Sequence, residues 1–248
     1  MSTLTILRRH AQNPDPASLP PSVLLDYTDS YLTIFDAYPK ATFHLLVLPR
    51  PKDGSLTLSE LSGLRSLLSC QKKDAKKILD ELAAQAEKTK ELVREEMVQR
   101  YGYSWDIWVG FHAVPSMEHI HLHVISSDLC SPKLKNKKHY NSFHPKLGFF
   151  LHLEEVLSWF EEEPKYFATK KRLKPSEYEP LLKESLVCWR CDRILPNMPT
   201  LKNHLQEEWD KEAKRAAEKK RKRESGPGQA DSFAGNAKKQ HVEGVEEI

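Results

Sequence analysis

The sequence predicts an α+β fold, an antiparallel sheet carrying helices, followed by a small C-terminal unit. Three observations carry this. Apolar, β-rich runs at 31–35, 42–48, 105–111 and 119–126 are bounded by turn residues. Between the second and third runs, from Leu58 to about Arg100, apolar residues recur at helical spacing. Past residue 185 a Cys-x-x-Cys pair opens a stretch too short to fold on apolar burial alone.

In chain order, residues 3–12 (TLTILRRHAQ) read as a short helix ended by Asn13-Pro14-Asp15-Pro16. Tyr31–Phe35 and Thr42–Leu48 then form a hairpin across Asp36-Ala-Tyr-Pro39. Leu61, Leu64, Leu67 and Leu68 give one helical face, and Ile78, Leu82, Leu92 and Val93 a second, with a break at Cys70-Gln-Lys-Lys. Strands return at 105–111 and 119–126, followed by a basic loop, a strand at 149–153 and a short helix at 154–163. Residues 164–180 hold Pro164, Pro175 and Pro180 amid charge and read as a linker. A compact unit spans Cys188 to about Trp209.

The 248 residues carry 38 Lys and Arg against 35 Asp and Glu, a formal charge of +3 that conceals segregation. Residues 211–223 sum to +6, residues 131–146 to +5, and residues 224–248 to −3. Such blocks point to an anionic partner. No run of about 18 apolar residues exists, which excludes a membrane-spanning helix. The N-terminus lacks the long apolar core of a secretory signal. Four cysteines in this length do not make a disulfide scaffold, and a reducing compartment is expected. Cys70 and Cys130 read as plain thiols.

Six of the 11 histidines lie between His112 and His144. In His119-Ile-His121-Leu-His123 they alternate with apolar residues, so on a strand all three imidazoles share one face. Each buried ring needs a partner, which makes three in a row a site rather than packing. A metal centre would recruit a carboxylate, but Glu118 points away from His119 on a strand. Donors without carboxylates, with His112 and Ser116 close upstream, suit a phosphate and nucleophilic catalysis by imidazole. His44, mid-strand, is read equally as a core histidine or a site residue. Beside this strand, Lys135, Lys137 and Lys138 read either as a solvated loop or as candidates for tracking a DNA backbone, with His139 and Ser142 joining phosphate contacts.

Cys188-Trp-Arg-Cys191 is followed 13 and 17 residues later by His204 and Glu208. This is zinc-finger spacing, with the last two ligands one helical turn apart. Glu208 stands where histidine is commoner, and a carboxylate is an acceptable zinc ligand. Leu186, Leu195 and Leu201 supply a small core, and a structural zinc is expected because such a unit needs metal to fold. The run at 214–224 reads either as a nuclear-localisation signal or as a second phosphate-binding arm.

HIHLHVI is the signature of the histidine-triad nucleotide hydrolases and transferases, and the sequence resembles that superfamily. DAYPKATFHLLVLPR, GFHAVPSMEHIHLHVISSD and SPKLKNKKHYNSF are similar to its DNA-deadenylating family, over most of residues 3–153 and again over 186–209. The resemblance implies a histidine-triad domain whose nucleophile, His121, attacks the AMP phosphorus of an adenylated 5′ DNA end. A covalent adenylyl-histidine forms, a DNA 5′-phosphate leaves, and water frees AMP. It further implies that His119 orients the nucleophile, His123 binds phosphate oxygens, and His112 and Ser116 contact the phosphate, His112 protonating the leaving group. Asp36 would hold the ribose hydroxyls and Lys40 support the nucleotide pocket.

The Cys-Cys-His-Glu ligand set is similar to that of fungal members. Animal members carry an N-terminal phosphopeptide-binding domain, whereas this sequence begins nearly on the catalytic region. A monomer acting in the nucleus is expected, with one structural zinc and no catalytic metal. The expected domains are a catalytic domain at 1–165, a linker at 166–185, the finger at 186–212, and a disordered tail at 213–248, basic then acidic. Two rivals remain. A general nucleotide phosphoramidase or dinucleotide hydrolase leaves the finger and the lysines without a purpose. A non-catalytic DNA-end binder uses the histidines only to hold phosphate.

Overall fold

The computed structural model describes residues 3–51 and 56–224. The apolar runs form one antiparallel sheet: β1 (Leu24–Tyr27), β2 (Tyr31–Phe35), β3 (His44–Pro49), β4 (Ile107–His112), β5 (Leu122–Ser126) and β6 (Phe150–His152), in the order β1-β2-β3-β5-β4-β6. Helices α1 (Ile6–Ala11), α2 (Leu64–Leu67), α3 (Lys72–Tyr101), α4 (Lys137–Asn141), α5 (Leu153–Ser158), α6 (Pro164–Lys170), α7 (Pro175–Tyr178) and α8 (Met198–Glu224) surround it. A second hairpin, β7 (Leu186–Val187) with β8 (Ile194–Leu195), opens the C-terminal unit. No described helix is long and apolar enough to cross a membrane.

The predicted hairpin forms in unbroken register from Tyr31↔Pro49 to Phe35↔Leu45. Strand β5 lies between β3 and β4, so all five of its residues are buried. Alternation then divides its side chains. Leu122 and Val124, with Leu45 and Val47 of β3, meet the α3 stripe of Leu79, Leu82, Ala86 and Val93. His123 pairs across from Leu46, on the opposite face, where Leu7 and Ala11 of α1 cover Leu32, Ile34, Leu46 and Leu48. Strand β1 was not anticipated. Its sequence, Leu-Leu-Asp-Tyr, is mostly exposed, and it joins as an edge through pairing with β2, with a bulge between Leu24 and Asp26.

Asp128, just past β5, ties the far end of this sheet together. Its carboxylate accepts from Thr42 N and Oγ1, Trp105 Nε1, Ser126 Oγ and Cys130 N, joining the approaches to β3 and β4 to the end of β5.

Several expectations need correction. The linker at 166–185 folds as α6, α7 and a 3-10 turn, and Phe167 and Leu173 are buried in the same core as α3. Pro164, Pro175 and Pro180, which read as linker residues, each stand in a helix's first turn, where the missing N–H costs no intrahelical bond. The basic loop contains α4, capped by Asn136, whose side chain accepts from His139 N. The tail expected from residue 213 continues α8 to Glu224, while 225–248 lie outside the described residues.

The C-terminal unit is docked on the sheet. Leu186, Leu195 and Leu201 are buried as expected, in one cluster with Cys188, Leu205, Ile125, Phe143 and Phe150. Trp189 packs edge-on against Trp108 at 4.8 Å, and Trp209 against Trp105 at 5.5 Å. Tyr140 of α4 links the two parts, its hydroxyl donating to Val187 O and accepting from Trp189 N.

Candidate active site and metal centre

The segment before β5 corrects the expectation that three imidazoles share one strand face. The strand begins only at Leu122, because His119 N and Ile120 N bond to Ser62 O and Leu61 O rather than to the sheet. His119 takes φ +86, a conformation non-glycine residues hold only when the surroundings enforce it. Its ring turns aside and Nε2–H donates to Pro49 O at 2.7 Å. Its carbonyl accepts from His121 Nδ1–H at 2.8 Å. His119 thus touches His121 through its backbone.

A chain of bonds assigns the other protons. Burial holds His44 and His119 at about 4, His121 below its ordinary 6.5, and His112 and His123 well below it, so all are neutral near pH 7. A neutral imidazole carries one N–H, so one bond fixes the role of the other nitrogen. Lys40 N–H donates to His44 Nδ1 at 3.2 Å, which leaves the proton of His44 on Nε2. That proton faces His123 Nδ1 at 3.0 Å, so His123 keeps its own on Nε2. His123 Nε2 is buried without a hydrogen-bond partner among the described residues, as is His112 Nε2. On His121, the bond from Nδ1–H to His119 O leaves Nε2 with a lone pair. One nitrogen therefore carries an available lone pair, and an N–H donor beside it is open.

The rings are close. His112 lies 4.5 Å from His123 and His121 5.0 Å from it, centroid to centroid. Phe143 forms their floor, within 5.1 Å of His44, His112 and His123. On β4, a Cβ at Gly110 would collide with the Phe150 ring and with Leu151 O, so only glycine lets β6 approach here. Phe143 was missed as a site residue, and His44 was left open. The signals were an aromatic inside a lysine-rich segment and a histidine on a strand facing the triad.

Of the nucleotide-pocket candidates, Asp36 lies beside the histidine cluster. Its Oδ2 lies 3.6 Å from His44 Nδ1 and its Oδ1 accepts from Tyr38 N. Lys40 Nζ donates to Tyr38 O, and its charge bears on His44, His112 and His123. Burial lowers the Lys40 ammonium itself. Asp36, His44 and His123 bring three donor atoms within 4.8 Å, a grouping that also suits a cation, but the two imidazoles are already bonded to each other. Ser116 is exposed in the turn before His119, with no hydrogen bond to the cluster among the described residues. Lys135, Lys137 and Lys138 are exposed around the start of α4, and Lys137 Nζ reaches Lys183 O at 3.5 Å. Ser142 is buried and donates its hydroxyl to His139 O, whose ring is half-buried.

In the C-terminal unit the β7–β8 turn carries Cys188 and Cys191, with Cys188 N bonded to Arg193 O and Asp192 in a left-handed conformation, φ +58. Asn197 caps α8 through Thr200 N, setting His204 in the second turn of the helix. Cys188, Cys191 and His204 bring their ligand atoms within 4.8 Å of one another, Cys191 Sγ lying 3.2 Å from His204 Nε2. Two sulfurs and an imidazole converging in this way fit a structural zinc. Glu208 is not drawn in. Its carboxylate pairs with Lys211 at 3.0 Å, which holds its pKa below the usual carboxylate range.

The antiparallel sheet, the imidazoles and the finger behind them define a histidine-triad protein with an appended zinc-binding finger. A family model described as scavenger mRNA decapping enzyme C-term binding matches residues 11–139. A second, described as a C2HE / C2H2 / C2HC zinc-binding finger, matches residues 146–211. An aprataxin-like protein of Schizosaccharomyces pombe is 32% identical, the match covering 74% of this chain and 73% of that protein. Aprataxin of Danio rerio is 36% identical, over 72% of this chain and 47% of that protein. The structure of Hnt3 in complex with DNA and guanosine superposes with a TM-score of 0.63 at 27% identity, covering 85% of this chain and 97% of that one. Within the histidine-triad class, the chain belongs to the aprataxin family. It spans about half the length of several curated aprataxins it matches.

Proposed function

We propose that the chain is a DNA-repair hydrolase that removes AMP from 5′-adenylated DNA ends, nicks or termini, left by abortive ligation. The observation that supports this most directly is the proton arrangement, a lone pair on His121 Nε2 close to the open Nε2–H of His123. His121 Nε2 attacks the AMP phosphorus, a P–N bond forms, and the phosphoanhydride P–O bond to the DNA 5′-phosphate breaks. His123, with Phe143 beneath it, donates to the equatorial oxygens as charge builds there. His112 is the donor toward the leaving phosphate. Water then cleaves the P–N bond, releasing AMP and restoring neutral His121. His119 keeps the nucleophile oriented through its carbonyl, Asp36 binds the ribose hydroxyls, Lys40 supports the pocket, and Ser116 closes on the phosphate.

Cys188, Cys191, His204 and Glu208 hold one zinc, which would cross-link the β7–β8 turn to α8. Lys135, Lys137, Lys138, His139 and Ser142 form the DNA-backbone surface beside the site. The protein acts as a monomer in the nucleus. Mass spectrometry of the acid-quenched reaction on adenylated DNA tests the chemistry: an adenylyl adduct on His121 is expected. An adduct on another residue, or faster turnover of free adenosine phosphoramidate than of adenylated DNA, overturns the reading.

A further inference from the structure

Helix α8 extends well past what the finger requires. Its body-facing stripe holds Leu201, Leu205 and Trp209, then Glu212, which pairs with Arg190 at 2.6 Å. The same stripe continues as Ala216, Lys219 and Arg223, with no large apolar side chain left to bury. From Lys214 to Arg223 the helix carries seven bases and one acid, and all seven bases are exposed. The zinc-finger match ends at residue 211, so this arm is an addition to the finger.

By itself the arm is electrostatically unfavourable. Lys211 and Arg215, Arg215 and Lys219, and Lys219 and Arg223 are like-charge pairs four residues apart, and within 214–223 Glu218 is the one acid, three or four residues from Lys214, Arg215, Arg221 and Lys222. Ten helical residues rise about 15 Å, or roughly one base every 2 Å. A DNA duplex carries about one negative charge per 1.7 Å of axis. The two densities are complementary. A helix anchored at His204 and Trp209 also presents its charges in a fixed direction.

We infer that residues 214–223 of α8 form a second nucleic-acid contact, a rigid cationic arm lying along the phosphate backbone of the DNA whose end enters the histidine site. This rests on the reading of the chain as a DNA-end hydrolase. The basic density supplies affinity and footprint rather than chemistry, because none of its side chains contacts the imidazole cluster.

The test uses the full chain carrying Lys219→Gln, Lys220→Gln, Lys222→Gln and Arg223→Gln together. Glutamine keeps helix propensity near that of lysine and arginine, so the arm stays helical, which circular dichroism checks. Binding to a nicked, labelled duplex is measured by fluorescence anisotropy across a salt series. Each lost phosphate contact reduces the slope of log affinity against log salt by about 0.9, so a slope shallower by about two to three is expected. Affinity at low salt should fall at least about tenfold, while kcat on saturating adenylated DNA is unchanged. Equal slopes for the two proteins overturn the arm. Equal slopes with loss of nuclear accumulation of a fluorescent fusion overturn it in favour of an import signal read by a carrier protein. If the unaltered chain releases no AMP from adenylated DNA, the reading beneath it fails, whatever the slopes.

Discussion

The histidine cluster and the cysteine cluster lie against the same face of one sheet, yet they bury their heteroatoms in opposite ways. Among the histidines, protons are handed from Lys40 N to His44 and from His44 to His123, and the surplus is an open donor. At the finger, two sulfurs and an imidazole nitrogen converge, three atoms that all become lone-pair ligands once the thiols lose their protons to a metal. Donors left open select an anion, and converging lone pairs select a cation. The two are not independent, because Phe143 and Phe150, which contact His123, belong to the same apolar cluster as Cys188.

The sharpest way to separate the two clusters is to disable each. His121→Ala should lower deadenylation at least about ten-thousandfold with DNA binding largely kept, since the nucleophile is absent while the donors remain. Cys191→Ala should cost the bound zinc, measured by metal analysis, and loosen the finger, yet leave adenylyl transfer to His121 detectable. Activity of Cys191→Ala as low as that of His121→Ala would make the clusters one unit. The acid limb of the pH profile is a companion test. Burial holds His121 below 6.5, and its protonated form has no lone pair, so activity should fall with acid along a limb centred below 6.5. A limb centred above 6.5 assigns the nucleophile elsewhere.

The next largest effect tests the proton chain. His44→Phe removes the N–H that makes His123 Nδ1 an acceptor, allowing the wrong tautomer. A loss of about 10–100-fold in kcat with little change in KM is expected, in line with other groups that orient a reacting imidazole. His44→Gln, whose amide can still donate, should recover part of it. Equal losses in both variants would mark His44 as mere packing.

At the far end of the sheet the effect passes from rate to stability. Asp128→Ala leaves the Trp105, Ser126, Thr42 and Cys130 donors short of an acceptor in a buried site. Urea unfolding should show a loss of about 3 kcal/mol, with Asp128→Asn losing less. No change would mean that water takes over the donors.

How much of this was legible beforehand varies with the physics involved. Period-2 alternation and turn residues located β2, β3 and the central strands, because a buried face dictates that pattern. The same rule, extended three residues too far, put His119 on the strand. Nothing in a local pattern reveals that its N–H would bond to Ser62 O across the chain. The prolines at 164, 175 and 180 misled for a related reason, since proline marks a helix's start as readily as its end. His44 and Phe143 could not be assigned to the site because their role lies in contacts with β5 and β4, which only pairing of distant strands creates. The cysteine spacing was read more directly, because ligands on one turn and one helix are set by local geometry.

The smallest effect concerns the fourth finger ligand. Glu208 sits one turn beyond His204, at the spacing a closing ligand needs, but its carboxylate pairs with Lys211. These two roles compete for the same oxygen atoms, and a divalent cation with two thiolates outweighs an exposed lysine, whose surface pair contributes only about 0–1 kcal/mol. Glu208→Ala should therefore weaken zinc retention against a chelator about tenfold, while three ligands still hold the metal. Lys211→Ala should leave retention unchanged or raise it slightly, since it frees the carboxylate. If Glu208→Ala retains zinc as the unaltered chain does, the carboxylate belongs to the helix surface, and the finger closes on a donor outside this set.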